Sequence, residues 1–281
     1  MRFKLNNGIE IPALGIGTFK ISAADARVSV RQALKMGYRL VDTANIYDNE
    51  VAVGKAIKES GVDRSEIFVS SKLWPSEYEN DNAVDETLDR LGLDYIDLLF
   101  IHQPTPNYMN GYRQLEKAYK QGKIKAIGLS NCEEELDDIL NNCEIKPQIM
   151  QVEAHPHYTQ DKLREKLDKD GIKLMAWYPL AHGDAGLMQD ETFVTLSKKH
   201  NKSVAQIILR WHVQFGNIVI PGSKSVEHIK ENFDIFDFEL SDEDMKMIAA
   251  ANKNTRYHPR KPGDIERYMI MKPNYEVKDY D

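Results

Sequence analysis

Eight short β-rich runs recur along this 281-residue chain, beginning near Leu14, Leu40, Ile67, Ile96, Ile124, Gln148, Lys173 and Ile218. Successive starts lie 26, 27, 29, 28, 24, 25 and 45 residues apart. Between them run stretches with helical spacing: Ala23 to Met36, Glu50 to Glu59, Asp81 to Leu91, Gly111 to Gln121, Glu133 to Asn141, Gln160 to Asp170 and Ser203 to Phe215. Helices recur near Val226 to Asn232 and Ser241 to Ala250, and the long last gap has room for one more. Parallel strands need a crossover of about helix length between them, so this alternation specifies a parallel sheet. Its regular period predicts an α/β fold closed as a (β/α)8 TIM barrel. Runs such as Ile96 to Ile101 are nearly all apolar, as strands covered on both faces must be.

Phe3 to Leu5 and Ile9 to Ile11 flank Asn6-Asn7-Gly8, which predicts an N-terminal β-hairpin over residues 1–13. Residues 253–281 carry three prolines and several tyrosines without helical periodicity, and are expected to form a C-terminal substrate loop over the barrel mouth. No linker-like stretch divides the chain, so one domain over 1–281 is expected. The formal charge of −7 argues against a nucleic-acid partner. The apolar runs are far too short for a membrane span. The amino end lacks the apolar run of a signal peptide, and Cys132 and Cys143 form no CxxC. The expectation is a cytoplasmic protein with unpaired thiols, monomeric because no exposed heptad or pairing strand is evident.

In such a barrel, polar residues just past the carboxyl ends of the strands converge on one mouth. Asp42 ends the second run, with Tyr47 soon after; Lys72 ends the third and His102 the fourth. Taken singly, each has an ordinary structural explanation: a helix-capping acid, a half-buried aromatic, a solvated amine, a core histidine. Together they make a chemically complete set. A phenol is a poor proton donor at neutral pH unless a neighbouring cation stabilises the phenolate. Lys72 is expected to supply that cation and so draw the Tyr47 pKa toward the working range. Asp42 would hold the ammonium in place, and His102 would orient a carbonyl oxygen. That is what protonating a developing alkoxide requires.

Seven runs now stand in order along nearly the whole chain: Gly15 to Lys20, Asp42 to Glu50, Ser71 to Trp74, Ile101 to Pro104, Gly122 to Asn131, Gln151 to Pro156 and Ile220 to Ser223. In these the sequence resembles the aldo-keto reductases. The resemblance implies carbonyl reduction with NADPH on a (β/α)8 barrel without a Rossmann domain. It also implies a catalytic tetrad of Asp42, Tyr47, Lys72 and His102, with Tyr47 as acid/base. By position, Ser130, Asn131 and Gln151 match residues that bind the nicotinamide carboxamide, and Trp177 matches the aromatic that stacks on the ring. Thr18, Phe19 and Lys20 match a lining turn, while Leu180, His182 and Gly183 match a loop across the pyrophosphate. Ile220, Ser223, Lys224, His228, Glu231 and Asn232 match the adenosine end. There the pattern departs: Gly222 stands where many members have lysine, and His228 replaces an arginine, so NADPH is expected with some tolerance of NADH. Phe19, Ile46, Tyr47, Trp74 and His102, with the tail from Tyr257 to Tyr268, would line an aromatic pocket for small carbonyls, α-dicarbonyls included.

Three other readings fare worse. A Rossmann fingerprint begins at Gly15-Ile16-Gly17 but meets Lys20 where its third glycine belongs. Tyr-x-x-x-Lys begins at Tyr119, Tyr158, Tyr257 and Tyr268, a frequency that shows how little the pattern carries. A metal-dependent hydrolase could use His155, His157, His102 and Asp42, yet Pro156 and the lack of further strand-end histidines leave the set short, and no metal is expected. A nucleotide-sensing barrel without turnover would not need the complete tetrad.

Overall fold

The computed structural model describes residues 1–275. A two-stranded antiparallel hairpin, β1 (Arg2–Lys4) and β2 (Glu10–Pro12), precedes eight parallel strands in chain order. These are β3 (Ile16–Gly17), β4 (Leu40–Asp42), β5 (Phe68–Leu73), β6 (Leu98–Ile101), β7 (Ile127–Ser130), β8 (Ile149–Glu153), β9 (Lys173–Trp177) and β10 (Ile218–Val219). The sheet closes on itself where Leu14 bridges Val219: the Val219 amide donates to Ala13 O (3.0 Å) and the Gly15 amide to Val219 O (2.8 Å). The expected (β/α)8 barrel with its N-terminal hairpin is therefore present.

Two apolar layers hold it. Leu40, Phe68, Leu98, Phe100, Ala126, Ile149, Met175 and Ile218 fill the lumen, and Leu5 and Ile11 of the hairpin plug it from the amino-terminal side. A larger layer, including Val41, Val69, Leu99, Ile127, Val152 and Leu174, packs the outward strand faces against the helices. Gly128 shows how full the lumen is, since a Cβ there would lie 2.2 Å from the Phe100 ring. A Cβ on Gly17 would likewise come within 2.7 Å of Ile220 O at the closing seam.

Capping explains several helix starts. Ser22 accepts the Asp25 amide ahead of the helix Ala23–Met36, and Gly37 ends that helix with φ 108°. Ser203 with Gln206, and Ser241 with Asp244, form complete capping boxes. Helix Ala23–Met36 has the predicted bounds, and the other predicted helices shift by a few residues at their ends.

The hairpin loop is the expected Asn6-Asn7-Gly8: Leu5 O accepts the Gly8 amide, the Leu5 amide reaches Ile9 O, and Gly8 takes φ 93°. The differences lie elsewhere and have local causes. The β9–β10 gap holds two additional helices, Ala185–Met188 and Glu191–His200, each started by an aspartate cap. The tail is not all loop either: residues Asp264–Ile270 form a helix that buries none of its residues, which is why no apolar stripe announces it.

Candidate active site

Register brings the expected residues together. Asp42 pairs with Ser70 across β4 and β5, and Lys72 lies two residues beyond Ser70 on the same strand face. Lys72 Nζ donates to Asp42 Oδ2 (2.6 Å) and to Thr43 O (2.8 Å), with the amine fully buried. The other Asp42 oxygen accepts from Ser70 Oγ (2.7 Å) and Gln151 Nε2 (3.2 Å). Lys72 Nζ lies 5.1 Å from the centre of the Tyr47 ring. Tyr47 meets the His102 ring edge-on at 5.6 Å, and Trp74 meets the same imidazole at 5.0 Å. Carboxylate, amine, phenol and imidazole thus occupy one corner of the barrel mouth.

Residues not singled out beforehand fix this corner. Asn49 accepts from Thr18 and Thr43 hydroxyls and donates to the Thr18 and Ile21 carbonyls, tying the turn that carries Tyr47 to the loop after β3. Asn45 Oδ1 accepts the Trp74 amide (2.8 Å). Behind Lys72, buried Glu50 is bound by Ser71 Oγ (2.5 Å) and Arg90 Nε (2.6 Å). The signal for Asn49 and Glu50 was their place in the Asp42-to-Glu50 run, but only tertiary contact reveals what they hold.

The electrostatics correct one expectation. Burial pushes the Tyr47 phenol well above its usual pKa, and the Asp42 carboxylate pushes it further; Lys72 does not draw it toward neutrality. The reason is local charge balance: Lys72 is matched by Asp42 at contact distance, with Glu50 beyond it, so little net positive field reaches the phenol. Burial lowers the Lys72 pKa, while Asp42 and Glu50 oppose the drop. His102 is driven well below the ordinary histidine range, by burial and then by Lys72, and is a neutral imidazole whose buried Nδ1 has no hydrogen-bond partner among the described residues. The corner therefore offers a protonated phenol and a neutral imidazole.

From this corner a polar row follows the strand ends. Asn131, after buried Ser130, accepts from Trp177 Nε1 (2.9 Å) and donates toward Ser130 Oγ (3.2 Å). Gln151 and Trp177 stand on β8 and β9. The turn with Leu180, His182 and Gly183 faces Lys20, whose charge joins burial in lowering the His182 pKa. Half-exposed Phe19 packs its ring 5.1 Å from Tyr47. Ile46 is half-buried in the Asn45–Tyr47 turn.

The row ends at the helix Val226–Phe233, capped by Ser225 through the His228 amide (3.2 Å). Ile220 is buried, Ser223 hydrogen-bonds Ser225, and Asn232 and Glu231 are buried and half-buried on the helix. Lys224 and His228 are exposed. The amine of Lys224 is shared with Asp25 at 3.5 Å.

The tail crosses the mouth. Tyr268 packs on Trp74 (5.5 Å), and Met271 O accepts from Trp74 Nε1 (3.0 Å). Tyr257 has other neighbours: its ring lies 6.0 Å from Tyr178 and its hydroxyl donates to Asp184. The His155–His157 pair is used structurally, bound to Glu153 and Asp190. Among the described residues, no group of three or more His, Cys, Asp or Glu could hold a metal ion.

A (β/α)8 barrel carrying a phenol, amine, carboxylate and imidazole at its carboxyl-terminal mouth is an oxidoreductase architecture. The chain belongs to the aldo/keto reductase family, whose model matches residues 13–253. It is 50% identical over 262 residues to a glyoxal reductase of Bacillus subtilis, covering 91% of this chain and 94% of that protein. A 9,11-endoperoxide prostaglandin H2 reductase of Trypanosoma cruzi is 41% identical, covering 90% and 92%. The crystal structure of an aldo/keto reductase from Brucella melitensis, 45% identical, superimposes with a TM-score of 0.86 and covers 90% of this chain and 99% of that one.

Proposed function

We propose that this protein reduces aldehydes and ketones, α-dicarbonyls among them, to alcohols with NADPH, using Tyr47 as proton donor. The observation that carries the reading is the buried Lys72–Asp42 pair beneath a phenol and beside a neutral imidazole. Membership of the family supports carbonyl reduction, and the glyoxal reductase relative supports an α-dicarbonyl among the substrates. On this reading one barrel domain spans the chain and works as a cytoplasmic monomer on small molecules; no helix among the described residues is long and apolar enough to cross a membrane.

The polar row fits an extended dinucleotide. Ser130, Asn131 and Gln151 offer amide and hydroxyl groups at adjoining strand ends, Trp177 offers an aromatic face, and the capped helix amides after Ser225 suit an anion. A reduced nicotinamide bound there would supply a hydride to the carbonyl carbon. The Tyr47 hydroxyl would give its proton to the carbonyl oxygen. Because that phenol is held protonated, it stays a donor across the neutral range. Asp42 holds the Lys72 amine fixed, 5.1 Å from the centre of the phenol ring, and its carboxylate offsets the amine's charge there. His102, neutral, orients the carbonyl by hydrogen bond without competing as an acid.

At the adenosine end, cationic charge is thin, since Lys224 shares its charge with Asp25 and Gly222 adds none. The expected cofactor is NADPH, with measurable turnover on NADH. A screen of methylglyoxal, aromatic aldehydes and aldoses, followed by nicotinamide absorbance with each cofactor, tests both claims. Turnover of several carbonyls with NADPH preferred is expected. No turnover of any, or a preference of about tenfold or more for NADH, overturns the corresponding part.

A further inference from the structure

The turn after β9 is a costly piece of backbone. Tyr178, Ala181 and His182 have φ of 62°, 47° and 49°, and Gly183 has 78°. Three of these four carry a Cβ in the left-handed region, where each is disfavoured by roughly 1 kcal/mol or more. Such a segment keeps its shape only where its surroundings over-determine it. One anchor is apolar: Ala181 and Leu187 are buried against Phe193, Leu196, Ile207 and Trp211. The other is polar. Asp184, which caps the helix Ala185–Met188 through the Gly186 (2.9 Å) and Leu187 (3.3 Å) amides, also accepts the hydroxyl of Tyr257 at 3.0 Å.

Tyr257 comes from the far end of the sequence, 73 residues away, and its own backbone is clamped separately. Buried Glu153 accepts the Tyr257 amide (2.6 Å) and the His258 amide (3.0 Å), with His155 on the same carboxylate (3.2 Å). The Tyr257 ring sits 4.8 Å from His155, and its oxygen lies 3.5 Å from His157 Nδ1. The phenol is a rigid strut between the barrel rim and the turn. Burial and Asp184 push its pKa up to about 12, so it donates at all ordinary pH values.

We propose that Tyr257 is a positioning residue for the cofactor: through Asp184 it holds the Leu180–Gly183 turn in its bound shape before the cofactor arrives, and thereby slows cofactor release. The inference rests on the assignment of that turn to the pyrophosphate. Without the strut, the fraction of molecules with a competent turn falls, and apparent affinity falls by the same factor. The strut touches none of Asp42, Tyr47, Lys72 and His102, so hydride and proton transfer are expected to be left alone.

The test compares parent, Tyr257→Phe and Asp184→Asn proteins, the last of which keeps a helix-capping side chain. Two quantities are read: NADPH release by stopped-flow fluorescence, and hydrogen exchange at the Gly186 and Leu187 amides in cofactor-free protein. Tyr257→Phe is expected to release NADPH roughly tenfold faster, the worth of one hydrogen bond to a charged acceptor, and to speed exchange at both amides by a similar factor. The single-turnover reduction rate at saturating cofactor should stay within about twofold. Tyr257→Phe and Asp184→Asn together should be less than additive. Unchanged exchange at Gly186 and Leu187 in Tyr257→Phe overturns the strut. Faster exchange with unchanged NADPH release overturns the link to the cofactor. Should the parent protein bind no NADPH, the functional assignment falls, while the exchange measurement still decides whether the strut exists.

Discussion

Two ion pairs, one at each end of the polar row, show how differently the same chemistry is used. Lys72 and Asp42 meet at 2.6 Å with side chains 0% and 2% exposed, on two strands of a closed barrel. Lys224 and Asp25 meet at 3.5 Å with side chains 64% and 47% exposed, on a loop and a helix start. Removing one partner of the first leaves a buried charge and costs about 3–5 kcal/mol, whereas the second is worth about 0–1 kcal/mol. The first pair is made of groups the fold cannot release. The second is made of groups that solvent, salt or a ligand can redistribute. On the proposed function, the sheet would fix the chemistry and the surface would set the choice of cofactor.

The largest effect is expected at Lys72. Lys72→Met is expected to cut carbonyl reduction by about a hundredfold or more and to lower unfolding free energy by about 3 kcal/mol, measured by steady-state kinetics and urea denaturation. Adding Asp42→Asn should return much of the stability but none of the activity. A stable, active Lys72→Met protein would mean that the buried pair is decoration.

A smaller effect sharpens the role of burial itself. His212 is fully buried, and burial holds its pKa down to about 3 against an ordinary 6.5. Below pH 6.5 the unfolded chain takes up a proton that the folded one refuses until about pH 3, so stability is complete above 6.5 and drains away as pH falls. Between pH 6.5 and 5 this histidine contributes at most about 2 kcal/mol of that loss. His212→Gln should flatten the slope of unfolding free energy against pH in this window; an unaltered slope would show that the imidazole is not held neutral. The smallest effect belongs to the surface pair. Lys224→Ala should leave stability within about 0.5 kcal/mol and reduce NADPH-over-NADH selectivity by roughly three- to tenfold, compared by kcat/KM.

What could be seen in the sequence follows the same division. Strand starts were legible because lumen and helix-facing positions must both be apolar, and Asp42, Lys72 and His102 were legible because strand ends converge. Tyr47 was placed by its motif. The helix Asp264–Ile270 was hidden because it buries no residue, and the helix Glu191–His200 lay in a gap too long for one crossover but without a located stripe. The Tyr47 pKa direction was misjudged because a sequence shows that an amine is near but not that the phenol is fully buried or that carboxylates already match the amine. Tyr257 was grouped with Tyr268, since nothing in their spacing tells that one turns toward Asp184 and the other toward Trp74.

On the proposed function, the phenol of Tyr47 delivers the proton. Tyr47→Phe removes one oxygen and leaves the ring contacts with Phe19 and His102 available. NADPH binding by fluorescence titration and methylglyoxal reduction in a single turnover should be measured on the same preparation. Affinity within about threefold of the parent and reduction slowed by about a hundredfold or more are expected. Reduction at the parental rate, with cofactor bound as before, would contradict it.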